Sequence, residues 1–300
     1  MKTPPQWELS PEGLKKLQAK SLEIVLYLKQ FCERNNILFY LCGGGCIGAV
    51  REGGFIPWDD DLDIMMPREH YERFYKLWQE QEKDNKKYVC LRTNDEIFTG
   101  NVFTTLVDTE TTCIKRNQID LDIPQGVVVD IFPVDGCPDN RISQLLQMMH
   151  TMIYLLFLAQ VVPENHGKLM AWGSKLLLSI FRGQNIRKKI WKRAERQMTK
   201  YKLGDYKLAK DLCAGPYYMR KKYPWKTFDG SVYKSFEGEM LPVPIGYDTY
   251  LSVAFGDYMS LPPVEERTIH HDFVFCDTEK SYKEYRGVYY LLNESPNNKE

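Results

Sequence analysis

Four aspartates fall within five residues at Asp59-Asp60-Asp61-Leu62-Asp63. Leu62, Ile64 and Met65 are interleaved with them, so the segment must pack against a core and is not a solvated acidic turn. The alternation from Asp61 to Met66 has the period of a strand. On a strand Asp61 and Asp63 share one face, with their Cα atoms about 7 Å apart. Two bare carboxylates on a packed face repel one another and lose hydration. A hard divalent cation with oxygen ligands, Mg²⁺ or Mn²⁺, is their natural occupant. Asp59, Asp61 and Asp63 also have the spacing of the first three ligands of a calcium-binding helix–loop–helix. Its turn glycine would fall at Ile64 and its bidentate glutamate at His70, so that reading is excluded.

Eighteen residues before Asp61 stand Gly43, Gly44 and Gly45, behind an apolar run from Ile37 to Cys42 and ahead of helix-compatible residues 46–51 that Gly53-Gly54 terminates. Glycines between a strand and a helix let backbone N–H groups come close to phosphate oxygens, and the helix N-terminus adds a favourable field. The run is neither a dinucleotide fingerprint nor a Walker loop, because no Lys-Ser/Thr follows. Arg51, along the same helix, is a candidate phosphate partner. Completing a two-metal site takes a third carboxylate. Asp130, inside the apolar run Val127-Val128-Val129-Asp130-Ile131-Phe132, is the best candidate, since an acid there is rarely left unpaired. Asp135, after that strand, is a weaker candidate for a loop role.

The elements that must position these groups can be read from hydrophobic period. Residues 14–35 have helical spacing, with Ser10 as N-cap and Pro11 at the first helical position. Residues 37–42, 61–66, 88–91, 101–107 and 126–132 read as strands, Pro67 closes the second of these, and residues 68–80 read as a helix. From 142 to about 202 the pattern turns to long helices, ending in a basic run from Arg182 to Lys202 with nine Lys/Arg against one Glu. The rest is rich in Gly, Pro and Tyr and predicts loops, short helices and a hairpin or two. The plan is an α/β core over 1–140, a helical insert over 141–205 and a segment over 206–300 that returns to the core.

The chain has 300 residues, 43% of them hydrophobic and 27% charged, enough to bury a core and too apolar for a disordered tail. Lys and Arg number 40 and so do Asp and Glu, a balance that argues against nucleic acid as a partner. The eight cysteines include no C-x-x-C pair, which disfavours a zinc ribbon and fits a reducing compartment. No secretory signal is read at the N-terminus, so a cytoplasmic location is expected. The apolar stretch 145–162 contains Gln147, His150 and Gln160 and reads as a buried or interfacial helix rather than a span. With the basic run beside it, it predicts peripheral contact with the anionic inner leaflet of a membrane.

The block GGGCIGAVREGGFIPWDDDLDIMMPREHYERF, followed in order by VVVDIFPVDG at 127–136 and FEGEMLPVPIGYDTYLSVAFGDYMSLPP at 236–263, closely resembles the signature of LicD-family phosphotransferases, members of the nucleotidyltransferase-fold superfamily. The resemblance spans roughly residues 37–271. It implies an α+β fold, a nucleotidyltransferase-like mixed sheet with a helical insert, in which Asp61, Asp63 and Asp130 match the metal-ligand positions. Gly45 departs from the pattern, which commonly has Thr or Ser there. The activity implied is metal-dependent transfer of a phospho-alcohol, typically phosphocholine, from a CDP-activated donor to a hydroxyl of a cell-surface glycan, such as a teichoic-acid or lipopolysaccharide precursor, with release of CMP. Gly43, Gly44, Gly45 and Arg51 would then cradle the donor phosphates. Trp58, Tyr217, Tyr218 and Trp225 are candidate walls for a choline head group, and His270 and His271 are candidates for phosphate binding or acid–base work. The acids alone equally allow nucleotidyl transfer with release of pyrophosphate, and a non-catalytic glycan- or nucleotide-binding module is the further alternative.

Overall fold

Ser10 opens the first helix: its hydroxyl accepts the N–H of Gly13 at 3.0 Å, and Pro11 needs no partner in the first turn. This helix, α1 (Pro11–Arg34), buries Leu17, Ile24, Leu28 and Phe31 against the central sheet. The structure, a computed structural model, describes residues 4–160, 168–269 and 271–292. Along the chain follow β1 (Tyr40–Leu41), α2 (Gly43–Ile47), β2 (Ile64–Pro67), α3 (Arg68–Gln81), β3 (Tyr88–Leu91), β4 (Thr104–Asp108), β5 (Thr112–Lys115) and β6 (Val127–Cys137). After three helices, α4 (Arg141–Ala159), α5 (Lys168–Ile180) and α6 (Gln184–Met198), come β7 (Leu208–Asp211), β8 (Tyr223–Pro224), the hairpin of β9 (Ser231–Phe236) and β10 (Glu239–Pro244), α7 (Tyr247–Phe255) and β11 (Phe273–Asp277). The class is α+β, as expected.

Seven strands form one mixed sheet around β6. On one side β2 lies parallel to β6, Ile64 opposite Ile131, and β1 pairs antiparallel with β2. On the other side β4 covers the first half of β6 and β7 the second, both antiparallel. This second partner is why β6 runs to Cys137, five residues beyond the strand that its apolar run suggests. β5, which has no clear alternation in the sequence, pairs with β11 and brings the last described segment onto the core. The strand expected from Asp61 begins instead at Ile64. Its neighbour β1 offers only Tyr40 and Leu41, so residues 61–63 stay outside the ladder, tied by one bond from the Cys42 N–H to the Asp63 carbonyl at 3.0 Å.

The helices α4 and α6 pack together through Tyr154, Phe157, Leu158, Trp191, Ala194 and Met198. The buried amide of Gln147 pins α4 to the sheet end, donating to the Gly136 carbonyl at 2.8 Å and to that of Met198 at 3.0 Å. Asp135, expected in a loop, is inside β6 with its side chain fully buried, and Arg68 grips it in a two-pronged ion pair at 2.8 and 2.7 Å. A charge so enclosed is tolerated because its partner is aligned on both oxygens. Removing one partner strands the other. Asp135→Ala is therefore expected to lower unfolding stability by about 3–5 kcal/mol, and the apolar pair Arg68→Met with Asp135→Leu to recover most of that. Urea denaturation of the three proteins checks both statements.

Candidate active site

The acidic segment, the glycines and the aromatic residues of the C-terminal blocks line one cavity of about 960 Å³. Alternation survives outside the ladder. Leu62 and Ile64 are fully buried in the core, while Asp61 and Asp63 turn to the cavity together with Asp59. The backbone under them is fixed from α1, where the buried Gln18 amide donates to the Asp59 carbonyl at 2.8 Å. Gly44 is a glycine for a stereochemical reason: a Cβ there would lie 1.9 Å from Asp59 Oδ2. The glycine run is the first turn of α2 itself, not a loop ahead of it, and the helix continues through a π-helical turn over 48–52 to Gly53 in the left-handed region.

Charge in this cavity is out of balance. Burial and the neighbouring Asp61 and Asp60 charges push the Asp59 carboxyl up to about 8. Burial also raises Asp61, although His271 opposes it. Asp63 is raised well above the carboxylate range by burial, Asp61 and Asp130. Carboxyl oxygens of Asp59, Asp60 and Asp61 lie within 4.8 Å of one another. Both Asp60 oxygens are engaged by His271, one by its backbone N–H and one by Nδ1, each at 3.2 Å, and His271 Nε2 reaches toward Asp61 Oδ2 at 3.6 Å. Burial works against a charge on His271, but these acids prevail and its imidazole is raised, while Asp60 is lowered by the same contact despite its own burial. The converging oxygens of Asp59, Asp60 and Asp61, with Asp63 beside them on the cavity wall, make a hard, all-oxygen donor set. Such a set fits a divalent cation.

Asp130 stands behind this row. Thr105 Oγ1 donates to one of its oxygens at 2.8 Å and Lys115 Nζ lies 3.5 Å from the other. Its carboxylate borders a small neighbouring cavity beside Lys115, although its charge acts on Asp61 and Asp63. Burial works against the Lys115 charge, yet Asp130, Asp63 and Asp61 all raise it.

Of the glycines, Gly43 and Gly44 line the cavity. Gly45 is buried, with Leu62 Cδ1 only 2.6 Å from where its Cβ would be, so a larger residue there would need that leucine to move. The Gly43 N–H already donates to Tyr250 Oη at 3.0 Å. Arg51 lines the rim, where its guanidinium is held by Glu52 at 2.7 Å and by the Tyr258 carbonyl at 2.8 Å. Trp58 and Tyr218 are cavity walls, with Arg267 over the Trp58 ring at 5.5 Å. Tyr217 is exposed and Trp225 packs against the main core. His271, partly exposed, is a bridge between acids, and His270 lies outside the described residues. His271, Lys115, Asp211, Tyr223 and Tyr250 complete the site, and the sequence singles out only the first of them. The others come from β5, β7, β8 and α7, and nothing local marks them.

Residues 36–135 match the family model described as the LicD/FKTN/FKRP nucleotidyltransferase domain. The chain is 32% identical over 268 residues, 86% of its length and 96% of the relative's, to the lipopolysaccharide cholinephosphotransferase LicD of Haemophilus influenzae. It is also 40% identical over 68 residues, 20% of this chain and 26% of the other, to the uncharacterized protein RP689 of Rickettsia prowazekii. The matched model covers α2, the acidic segment and Asp130, and the long alignment extends over the helical and aromatic parts as well. The chain belongs to the LicD family.

Proposed function

We propose that this protein transfers phosphocholine from CDP-choline to a hydroxyl of a glycan, releasing CMP. The observation that carries this reading is that Asp59, Asp61 and Asp63 line one cavity together with Gly43 and Gly44, in a chain aligned along most of its length with a cholinephosphotransferase. Mg²⁺ or Mn²⁺ at the row, when bound, supplies the positive charge that a pyrophosphate requires. The protein does the rest. Asp61 and Asp63 hold the site, Asp130 backs them with Thr105 and Lys115, and the first turn of α2 presents N–H groups that lack intrahelical partners. The acceptor oxygen attacks the phosphorus that bears choline, and its proton leaves to the carboxylate row. The bond from that phosphorus to the bridging oxygen breaks, and CMP departs. Such catalysis is positioning and charge stabilisation.

The acceptor is proposed to be lipid-linked and reached from the membrane surface. Ile142 and Leu145 on α4 and Trp172 and Ile180 on α5 are each more than 60% exposed. Exposed Arg182, Arg193 and Arg196 lie on or beside α6. Apolar side chains beside cations suit an anionic lipid surface. By length and composition α4 is also the one helix among the described residues that could cross a membrane, but α6 occupies one of its faces.

Three outcomes follow. Mg²⁺ should stabilise the fold by about 2.7 kcal/mol at a hundredfold excess over its dissociation constant, read as a rise in melting temperature, and Asp61→Asn and Asp63→Asn should abolish that rise. Phosphorus NMR with CDP-choline, Mg²⁺ and a glycan acceptor should show CMP appearing, with none in EDTA or in the folded Asp61→Ala and Asp63→Ala variants. Pyrophosphate from CTP in its place would mark nucleotidyl transfer. The protein should float with vesicles containing phosphatidylglycerol and not with pure phosphatidylcholine, and Trp172→Glu with Ile180→Glu should weaken flotation at least about tenfold.

A further inference from the structure

In the wall of the same cavity, β7 ends in Asp211, which is 4% exposed. One of its oxygens accepts the N–H groups of Cys213 and Ala214, both at 2.9 Å, and among the described residues no donor meets the other. The nearest strong cation, Arg68, is committed to Asp135. The walls beside Asp211 are aromatic. Tyr223 lies 5.6 Å from Tyr250, Tyr250 lies 6.3 Å from Phe255, and Phe255 lies 5.8 Å from Tyr218, ring centroid to ring centroid. Tyr218 and Tyr223 both sense the Asp211 charge. Among the described residues lining the cavity Arg51 alone is basic, and Glu52 and the Tyr258 carbonyl already hold it.

We propose that Asp211, with Tyr218, Tyr223 and Phe255, forms the subsite that selects a quaternary ammonium head group on the donor. This rests on the phosphocholine reading and adds the residue that determines it. The chemistry of the pocket favours this cation over others. A hard divalent ion needs several oxygen ligands, and one free carboxylate oxygen among rings cannot supply them. A primary ammonium has three N–H groups to satisfy. A trimethylammonium group has none, and requires only a countercharge and π faces. Burial lifts the Asp211 carboxyl to about 6 against its two backbone N–H bonds, so it is ionised at neutral pH and still short of a counterion. Its distance along the chain from the acidic segment is bridged by Cys42, whose thiol lies within the fields of both Asp63 and Asp211. A donor phosphate and its alcohol can thus occupy neighbouring parts of one cavity.

The test is calorimetric and needs no turnover. Phosphocholine and its neutral isostere 3,3-dimethylbutyl phosphate are titrated, with Mg²⁺ present, into the full-length protein and into Asp211→Asn, whose amide oxygen can keep the two backbone bonds. The unaltered protein should prefer phosphocholine by about tenfold or more. Asp211→Asn should lose that preference while binding the neutral isostere unchanged. No preference in the unaltered protein, a preference that survives in Asp211→Asn, or equal weakening of both ligands would each overturn the proposal. If Asp211→Asn does not fold, Tyr218→Leu at a half-buried wall takes its place and should reduce the preference in the same selective way. Steady-state kinetics then separate recognition from proton transfer. The substitution should raise KM for CDP-choline and leave CDP-glycerol untouched, whereas an equal loss of kcat with both donors marks a general base and contradicts this role. Failure of every CDP-alcohol to release CMP would defeat the phosphotransfer reading and leave the calorimetric preference to be judged separately.

Discussion

Holding Asp59, Asp61 and Asp63 side by side above a packed Leu62 and Ile64 is the constraint around which the molecule is built. Two carboxylates about 5 Å apart repel by about 3 kcal/mol at an effective dielectric of about 20. That is a large fraction of the 5–15 kcal/mol, roughly, by which a domain is stable at all. The chain answers with groups drawn from four distant places. Gln18 of α1 fixes the backbone, Gly44 gives up its Cβ so that Asp59 has room, Lys115 of β5 neutralises Asp130, and His271 ahead of β11 spans Asp60 and Asp61. None of these supplies a full countercharge to the three acids that face the cavity, and their carboxyls stay raised. The deficit that remains is what makes the site suited to a cation and a pyrophosphate.

The same segment links these neighbouring parts of the cavity. The Gly43 N–H bonded to Tyr250 Oη ties the first turn of α2 to α7, and Tyr250 is a member of the aromatic cluster beside Asp211. Phosphate positioning and head-group recognition therefore share a framework. A change at one part is transmitted through a hydrogen bond and a close-packed set of rings, not through a flexible linker. The helices α4 to α6 pack against the edge of this framework. Their small core includes Leu212 and Cys213, with Phe132 packed against it, so they join the sheet next to the cavity as well as through Gln147.

What could be read from the sequence was whatever is local. The cap at Ser10, the strand 88–91, the helix from Arg68 and the helical character of the described residues within 142–198 follow from period and turn chemistry, and the structure has them. The acidic alternation at Asp61 and Asp63 correctly placed both side chains on one face, although the ladder starts only at Ile64. What could not be read was pairing. A lysine in β5, a histidine ahead of β11 and an aspartate closing β7 look like ordinary surface residues until the sheet order brings them to the acids or to the aromatic walls. Gly45 shows the opposite case, a residue grouped with its neighbours by type that faces the interior because Leu62 covers it. The aromatic walls likewise resisted composition: of Trp58, Tyr217, Tyr218 and Trp225, only Trp58 and Tyr218 face the cavity.

The central claim is that the carboxylate row holds a divalent cation against the donor's phosphates. Electron–nuclear double resonance on the Mn²⁺-loaded protein with CDP-choline tests it most directly, because phosphorus couples measurably to manganese only in close contact. The account predicts a ³¹P coupling that appears on adding CDP-choline and is absent from Asp61→Asn and Asp63→Asn. Tightly bound Mn²⁺ without phosphorus coupling, or a coupling that persists in those variants, would contradict it.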